Sequence, residues 1–291
     1  MRDYVVTVNS TVDLPASWLE DKGIPVFPLH YTINNKTFLD RTGYSSEKFF
    51  DLMRKGELPV TSQINPEEAR EGLEAILKEG KDILHLAFSS ALSGTYNSMR
   101  IAAEDLREEY PERKIIVVDT KCACMGEGLL LYYVLKRQSE GYTIDEAAEW
   151  AESHKMHVCH NFTVDDLNHL HRGGRVSKAV AIVGTLVQIK PILNVDYDGS
   201  LQMVGQVRGR KRSIHKLVDM AAAQAACWKE NDMVMITHGD CLEEAEYMAD
   251  LVRKKMGIQE VLINNIGNVI GGHTGPGVLA VFCMGGDRNN K

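Results

Sequence analysis

Apolar positions recur along this chain with two periods, and their order predicts the architecture. Tyr4–Val8 is a strand-like run, and Leu14–Glu20 is a short helix that Gly23 ends. Ile24–Tyr31 returns as a strand. Phe49, Leu52 and Met53 stand at helical spacing within Ser45–Lys55, which Gly56 stops. Pro66–Glu79 is a second helix with strong start chemistry: Asn65 at the N-cap, Pro66 in the first turn and Glu68 three residues on from the cap. Asp82–Phe88 reads as a buried strand, Thr95–Glu109 as a helix and Lys114–Val118 as a strand, with helices over Gly126–Gln138 and Ile144–His154. This β-α-β-α order predicts a mostly parallel, Rossmann-like sheet flanked by helices.

The second half has a different rhythm. Met156–Val164 is strand-like, and Lys178–Gln188 is helical until Pro191. Ile192–Val207 forms two strands around Asp198-Gly199, a strong hairpin signal. Helix Lys211–Lys229, strand Asp232–Thr237, helix Leu242–Lys255 and strands Glu260–Asn264 and Val278–Met284 follow. Hairpins mixed with crossovers predict a second α/β domain with a mixed sheet. Regular alternation ends near residue 158, so the expected division is 1–158 and 159–291. The tail Gly285–Lys291 is expected to fray.

Composition narrows the function classes. A chain of 291 residues can form one large or two ordinary domains. A net charge of −7 gives no overall attraction to nucleic acid or to an anionic membrane. Met1 leads directly into the first strand without a basic, apolar leader, and no long apolar run follows, so the expected address is the cytoplasm. There the six cysteines are expected to be reduced thiols.

Three segments can gather backbone donors: Thr61-Ser62-Gln63, Ser89–Thr95 and Gly271–Gly277. The second lies between a buried strand and a helix, where free N–H groups and the positive end of the helix dipole suit a carboxylate or a phosphate. Ser93 and Thr95 add hydroxyl donors there, and Gly94 lets a ligand approach the backbone. Ser62 and Thr274 could support such a site. As a plain alternative, these residues are ordinary helix caps.

Ser93 with His273 also suggests a serine-dependent acyl hydrolase or transferase, although Gly-x-Ser-x-Gly is missing. Neither the dinucleotide nor the P-loop glycine pattern occurs. His154, His157, His160, His169 and His171 lack metal-ligand spacing, as does Cys122-Ala-Cys124, so no metal or cofactor is expected. Arg172, Arg175 and Arg208–Arg212 are the basic exception in an acidic chain. They read either as a solvated helix start or as a docking patch for an acidic partner surface or a phosphate-bearing substrate.

Taken together, several segments resemble the DegV family. They are Asn9–Pro15, Ile24–Leu29, Asp40, Thr61-Ser62-Gln63, Ser89–Tyr96, Val118-Asp119-Thr120, Gly173–Ser177, Lys190–Leu193 and His273–Gly277, spread in order from residue 4 to about 283. The resemblance implies a two-domain α/β protein with a long acyl chain buried between or within the domains. It further implies a fatty-acid-binding subunit of a bacterial fatty acid kinase, acting in phospholipid metabolism rather than as an enzyme in its own right. A separate ATP-binding kinase would phosphorylate the bound carboxylate. On this resemblance Thr61, Ser93 and His273 would hold the carboxyl group, and Arg172, Arg175 and Arg208 would lie at the ligand mouth or the kinase-docking face. Transient membrane contact is compatible with it. Asn9 stands where many relatives carry Asp, so no role transfers to that side chain.

Overall fold

The computed structural model describes residues 3–178 and 188–288. The first sheet is parallel, with strand order β2-β1-β6-β7. Its members are β1 (Tyr4–Asn9), β2 (Val26–Phe27), β6 (Asp82–Ala87) and β7 (Ile115–Asp119). All six residues of β6 are buried, as expected of a strand covered on both faces. Ile83 packs toward α3 (Pro66–Lys78) and α4 (Thr95–Glu109), while Leu84 and Leu86 face the cluster that holds α5 (Met125–Ser139) and α6 (Ile144–His154). Two capping boxes set helix starts, Asn65 with Glu68 and Thr143 with Glu146.

The strand predicted over residues 24–31 divides at Pro28, which has no N–H to continue a ladder. Its first part is β2. Its second, β3 (His30–Ile33), enters a separate antiparallel sheet of order β4-β3-β5, with β4 (Lys36–Leu39) and β5 (Val60–Ser62). The hairpin β3–β4 turns on Asn34 and Asn35, both at positive φ (51° and 57°), the conformation that a type I′ turn demands. Ser45 caps α2 (Ser46–Arg54) by accepting from Lys48 N–H.

The third sheet is mixed, of order β10-β9-β8-β13-β11-β12. It comprises β8 (Val158–Thr163), β9 (Ile189–Val195), β10 (Leu201–Arg208), β11 (Val234–His238), β12 (Val261–Asn265) and β13 (Leu279–Met284). Only β11 and β12 run parallel; the other pairs are antiparallel. Alternate residues of β13 divide its two faces. Leu279, Val281 and Cys283 meet α8 (Arg210–Ala225) and α9 (Leu242–Met256), whereas Ala280, Phe282 and Met284 join the central cluster with α5. The mixed sheet takes its strands from Val158 onward and the other two take theirs before residue 120, while the largest apolar cluster draws on both sets.

Two further elements depart from the sequence reading. Residues to which the sequence reading assigned no helix form α7 (Leu167–Arg172) and α10 (Asn268–Thr274). The expected frayed tail is tied down as far as Arg288: Gly285 N–H donates to His157 O at 2.8 Å and Arg288 N–H to Met156 O at 3.0 Å. Most of the helix predicted over Lys178–Gln188 lies outside the described residues. No described helix is long and apolar enough to cross a membrane.

Candidate functional site

A cavity of about 330 Å³ lies between the carboxyl ends of the parallel strands and the inner face of the mixed sheet. Open α/β sheets usually bind ligands beyond the carboxyl ends of their strands. The loop after β6 contributes Leu92, Ser93 and Gly94, and the segment after β7 contributes Ala123 and Cys124. From the mixed sheet come His160 and Phe162 of β8, with Ala280 and Phe282 of β13 directly opposite in register. Residues of α10 and β5, with Val195 of β9 and Leu201 of β10, also line it.

One end is polar. β5 sets Thr61 opposite the buried Tyr31, so the side chain projects from a paired strand rather than from a loose loop. Thr61 Oγ1 lies 2.8 Å from Nε2 of His273, which sits in the last turn of α10. Ser93 Oγ is 2.9 Å from Thr95 Oγ1 and accepts from Thr95 N–H at 3.2 Å, so this serine shapes the first turn of α4. Gly94 is the N-cap of α4 and abuts Gln63, leaving no room for a Cβ. Gln63 Nε2 in turn donates to Ser98 Oγ at 3.2 Å.

Burial, reinforced by the positive charge of Arg175, pushes the pKa of His273 down to about 4, so its imidazole is neutral at physiological pH. Arg175 is the cation in the lining. Its Nε and Nη2 donate to Leu92 O at 3.1 and 2.8 Å and its Nη1 donates to Gly173 O, which fastens the Gly173–Arg175 turn to the Ser93 loop. Gly173 packs against the His273 ring with no space for a side chain. No Asp or Glu lines the cavity among the described residues.

The other end is apolar and contains one disguised polar group. Ala123 N–H donates to His160 Nε2 at 3.2 Å, and His160 Nδ1 donates to Val158 O at 3.0 Å. These two bonds fix a neutral tautomer, and burial holds its pKa well below the ordinary histidine value. His160 therefore offers a ring face to the cavity with no free hydrogen-bonding group.

Of the residues singled out by sequence, Thr61, Ser62, Ser93, Gly94, Arg175, His273 and Thr274 line this one cavity. Thr95 is joined to it through Ser93. Arg172 and Arg208 do not line it. Arg172 Nη2 lies 2.6 Å from His169 Nδ1, and Arg208 ends β10 in an exposed position. Sequence reasoning missed the apolar lining, although Val278, Ala280 and Phe282 stand at a spacing of two. Among the described residues no hydrogen bond joins Ser93 to His273, whose bonded partner is Thr61.

Known proteins share the fold of this chain. A DegV domain-containing protein of Clostridium perfringens is 42% identical over 287 residues, covering 98% of each chain. A fatty-acid-binding DegV family protein from Thermus thermophilus superposes with a TM-score of 0.86 at 28% identity, covering 98% of this chain and all of that one. A fatty-acid-binding DegV family protein from Streptococcus agalactiae gives 0.85 at 27% identity, covering 99% of this chain and 100% of the other. The family model described as "Uncharacterised protein, DegV family" matches residues 4–285. The chain belongs to the DegV family.

Proposed function

We propose that this protein is a carrier of a long-chain fatty acid that holds the acyl tail in the cavity and presents the carboxylate to a separate ATP-dependent kinase, which converts it to acyl-phosphate. One observation carries the reading: a single cavity has hydroxyls, a neutral imidazole and one guanidinium at one end and apolar walls at the other. That division matches a fatty acid. The relatives of known structure named as fatty-acid-binding support the ligand, at 26–28% identity.

Physical chemistry accounts for the division of labour. Burying about 14 methylenes at roughly 0.8 kcal/mol each gives on the order of 11 kcal/mol gross. A bilayer offers the lipid much the same, so the protein must enclose the tail and satisfy the head. Ser93 and the one proton that the Thr61–His273 pair leaves free are neutral donors that would fix a carboxylate without consuming its charge. An oxygen stays nucleophilic toward a γ-phosphoryl group brought by the partner. The kinase step rests on the family resemblance and on this chemistry, and it implies a cytoplasmic site of action.

Reconstitution with the kinase and saturating fatty acid tests the reading. Ser93→Ala should lower acyl-phosphate formation roughly tenfold or more, as expected for loss of a hydrogen bond to a charged group. A wild-type rate in that variant would contradict the assignment.

A further inference from the structure

The lining residues exposed to solvent are Ser62, Gln63 and Gly94, so among the described residues the cavity opens at its polar end. Two banks face each other there. One is β5 with the segment that leads on to Asn65, and it carries Thr61 with its partner His273. The other is the turn into α4, which carries Ser93 and Gly94. A carboxylate bound here would bridge the banks, one oxygen taking a proton from the Thr61–His273 pair and the other from Ser93. Such two-point binding depends on the separation of the banks, because hydrogen bonds weaken steeply outside a narrow range of distance and angle.

Gln63 spans the opening. Its backbone belongs to the first bank, and its Nε2 donates to Ser98 Oγ in the second at 3.2 Å. Ser98 is buried and fixed to the Ser93 turn, since its N–H donates to Gly94 O at 3.1 Å. Among the described residues this is the hydrogen bond that joins residues 59–65 to that turn. Gly94 makes the crossing possible. Its φ of −71° is open to any residue, so the backbone does not require glycine. A Cβ at position 94 would instead meet three atoms of Gln63 first, Oε1 at 2.1 Å, Cδ at 2.9 Å and Nε2 at 3.0 Å.

We propose that Gln63 is a positioning residue for the fatty acid head: it sets the distance between the Thr61–His273 pair and Ser93, and position 94 is glycine to admit Gln63 rather than the ligand. The inference rests on the fatty-acid reading and deepens it at the same site. An acid engages both banks through its two oxygens. An alcohol, with one oxygen, needs only one bank and is indifferent to their spacing.

Titration of the full chain with palmitic acid and with hexadecanol tests this. Gln63→Ala, at an exposed position, should fold as wild type does, weaken the acid about fivefold or more and change the alcohol less than about twofold. An unchanged acid affinity, or an equal loss for acid and alcohol, overturns the positioning role. Gly94→Ala should displace the Gln63 amide and weaken the acid to the same degree. The double variant Gly94→Ala with Gln63→Ala should then be no weaker than either single one. A double variant weaker than both would show that the ligand itself needs the space at Gly94, and overturns the assignment of that glycine. A wild-type protein that binds neither palmitic acid nor hexadecanol removes the carrier reading itself, and the role of Gln63 with it.

Discussion

The two ends of the cavity are built in contrasting ways. The polar end collects side chains from β5, the loop before α4, the Gly173–Arg175 turn and the last turn of α10, segments separated by as many as 212 residues between Thr61 and His273. Its groups hold one another before any ligand arrives: Thr61 with His273, Ser93 with Thr95, and Arg175 with the Leu92 carbonyl. The apolar lining includes alternate residues of two paired strands, β8 and β13, together with aliphatic side chains such as Ile266, Val269 and Ile270. The polar end therefore fixes one chemical group in one place, while the apolar end supplies area and length. Binding strength should come mainly from the second and orientation from the first.

The largest effect should follow from filling the apolar end. Ala280→Phe places a ring where about four methylenes of the tail would lie, a loss of roughly 3 kcal/mol or about a hundredfold in fatty acid affinity. Titration with a long-chain acid checks this, and unchanged affinity in a folded variant would move the tail elsewhere. Changes at the polar end come next. Thr61→Val and Ser93→Ala each remove a hydroxyl that would bond a charged carboxylate, costing about 1.5–3 kcal/mol. The sharper readout is the fatty alcohol of the same length: its affinity should change less than that of the acid.

Protonation gives a smaller contrast. The folded pKa of His273, about 4, lies below the ordinary value of 6.5. As pH falls through 6.5 the unfolded chain takes up a proton that the folded chain refuses, so stability is full above that pH and is lost progressively toward pH 4. Buried Asp13, Asp40 and Glu127 have raised pKa values and contribute the opposite slope. Comparing denaturation of wild type with His273→Gln at several pH values cancels those groups. The wild type should lose stability relative to the variant between pH 6.5 and 4, and a flat difference would contradict the neutral imidazole. The smallest effect on binding should come from Arg172→Ala and Arg208→Ala, which touch no lining residue. Fatty acid affinity should stay within about twofold, as for exposed charges generally. If these arginines dock the kinase, acyl-phosphate formation should fall in the same variants.

The same contrast explains what the sequence disclosed. Polar-end residues advertise themselves because Ser, Thr and Gly cluster where backbone donors are free, and Asn65 with Glu68 marked the start of α3 by local chemistry alone. The parallel and mixed sheets were legible from alternation and turn signals. The apolar end was not, since Ala280 and Phe282 look like any half of a strand buried against a helix. Nothing in their spacing distinguishes a lined cavity from a filled core. The small β4-β3-β5 sheet escaped because its strands are only three or four residues long, although Asn34-Asn35 carried its turn signal.

The central claim is that one cavity holds one long-chain fatty acid. Mass spectrometry of lipids released by denaturing the purified protein tests it most directly. The account predicts a free long-chain fatty acid at close to one per chain, and its replacement by an added acid of similar length. A protein that comes away empty and takes up no added long-chain acid would contradict it.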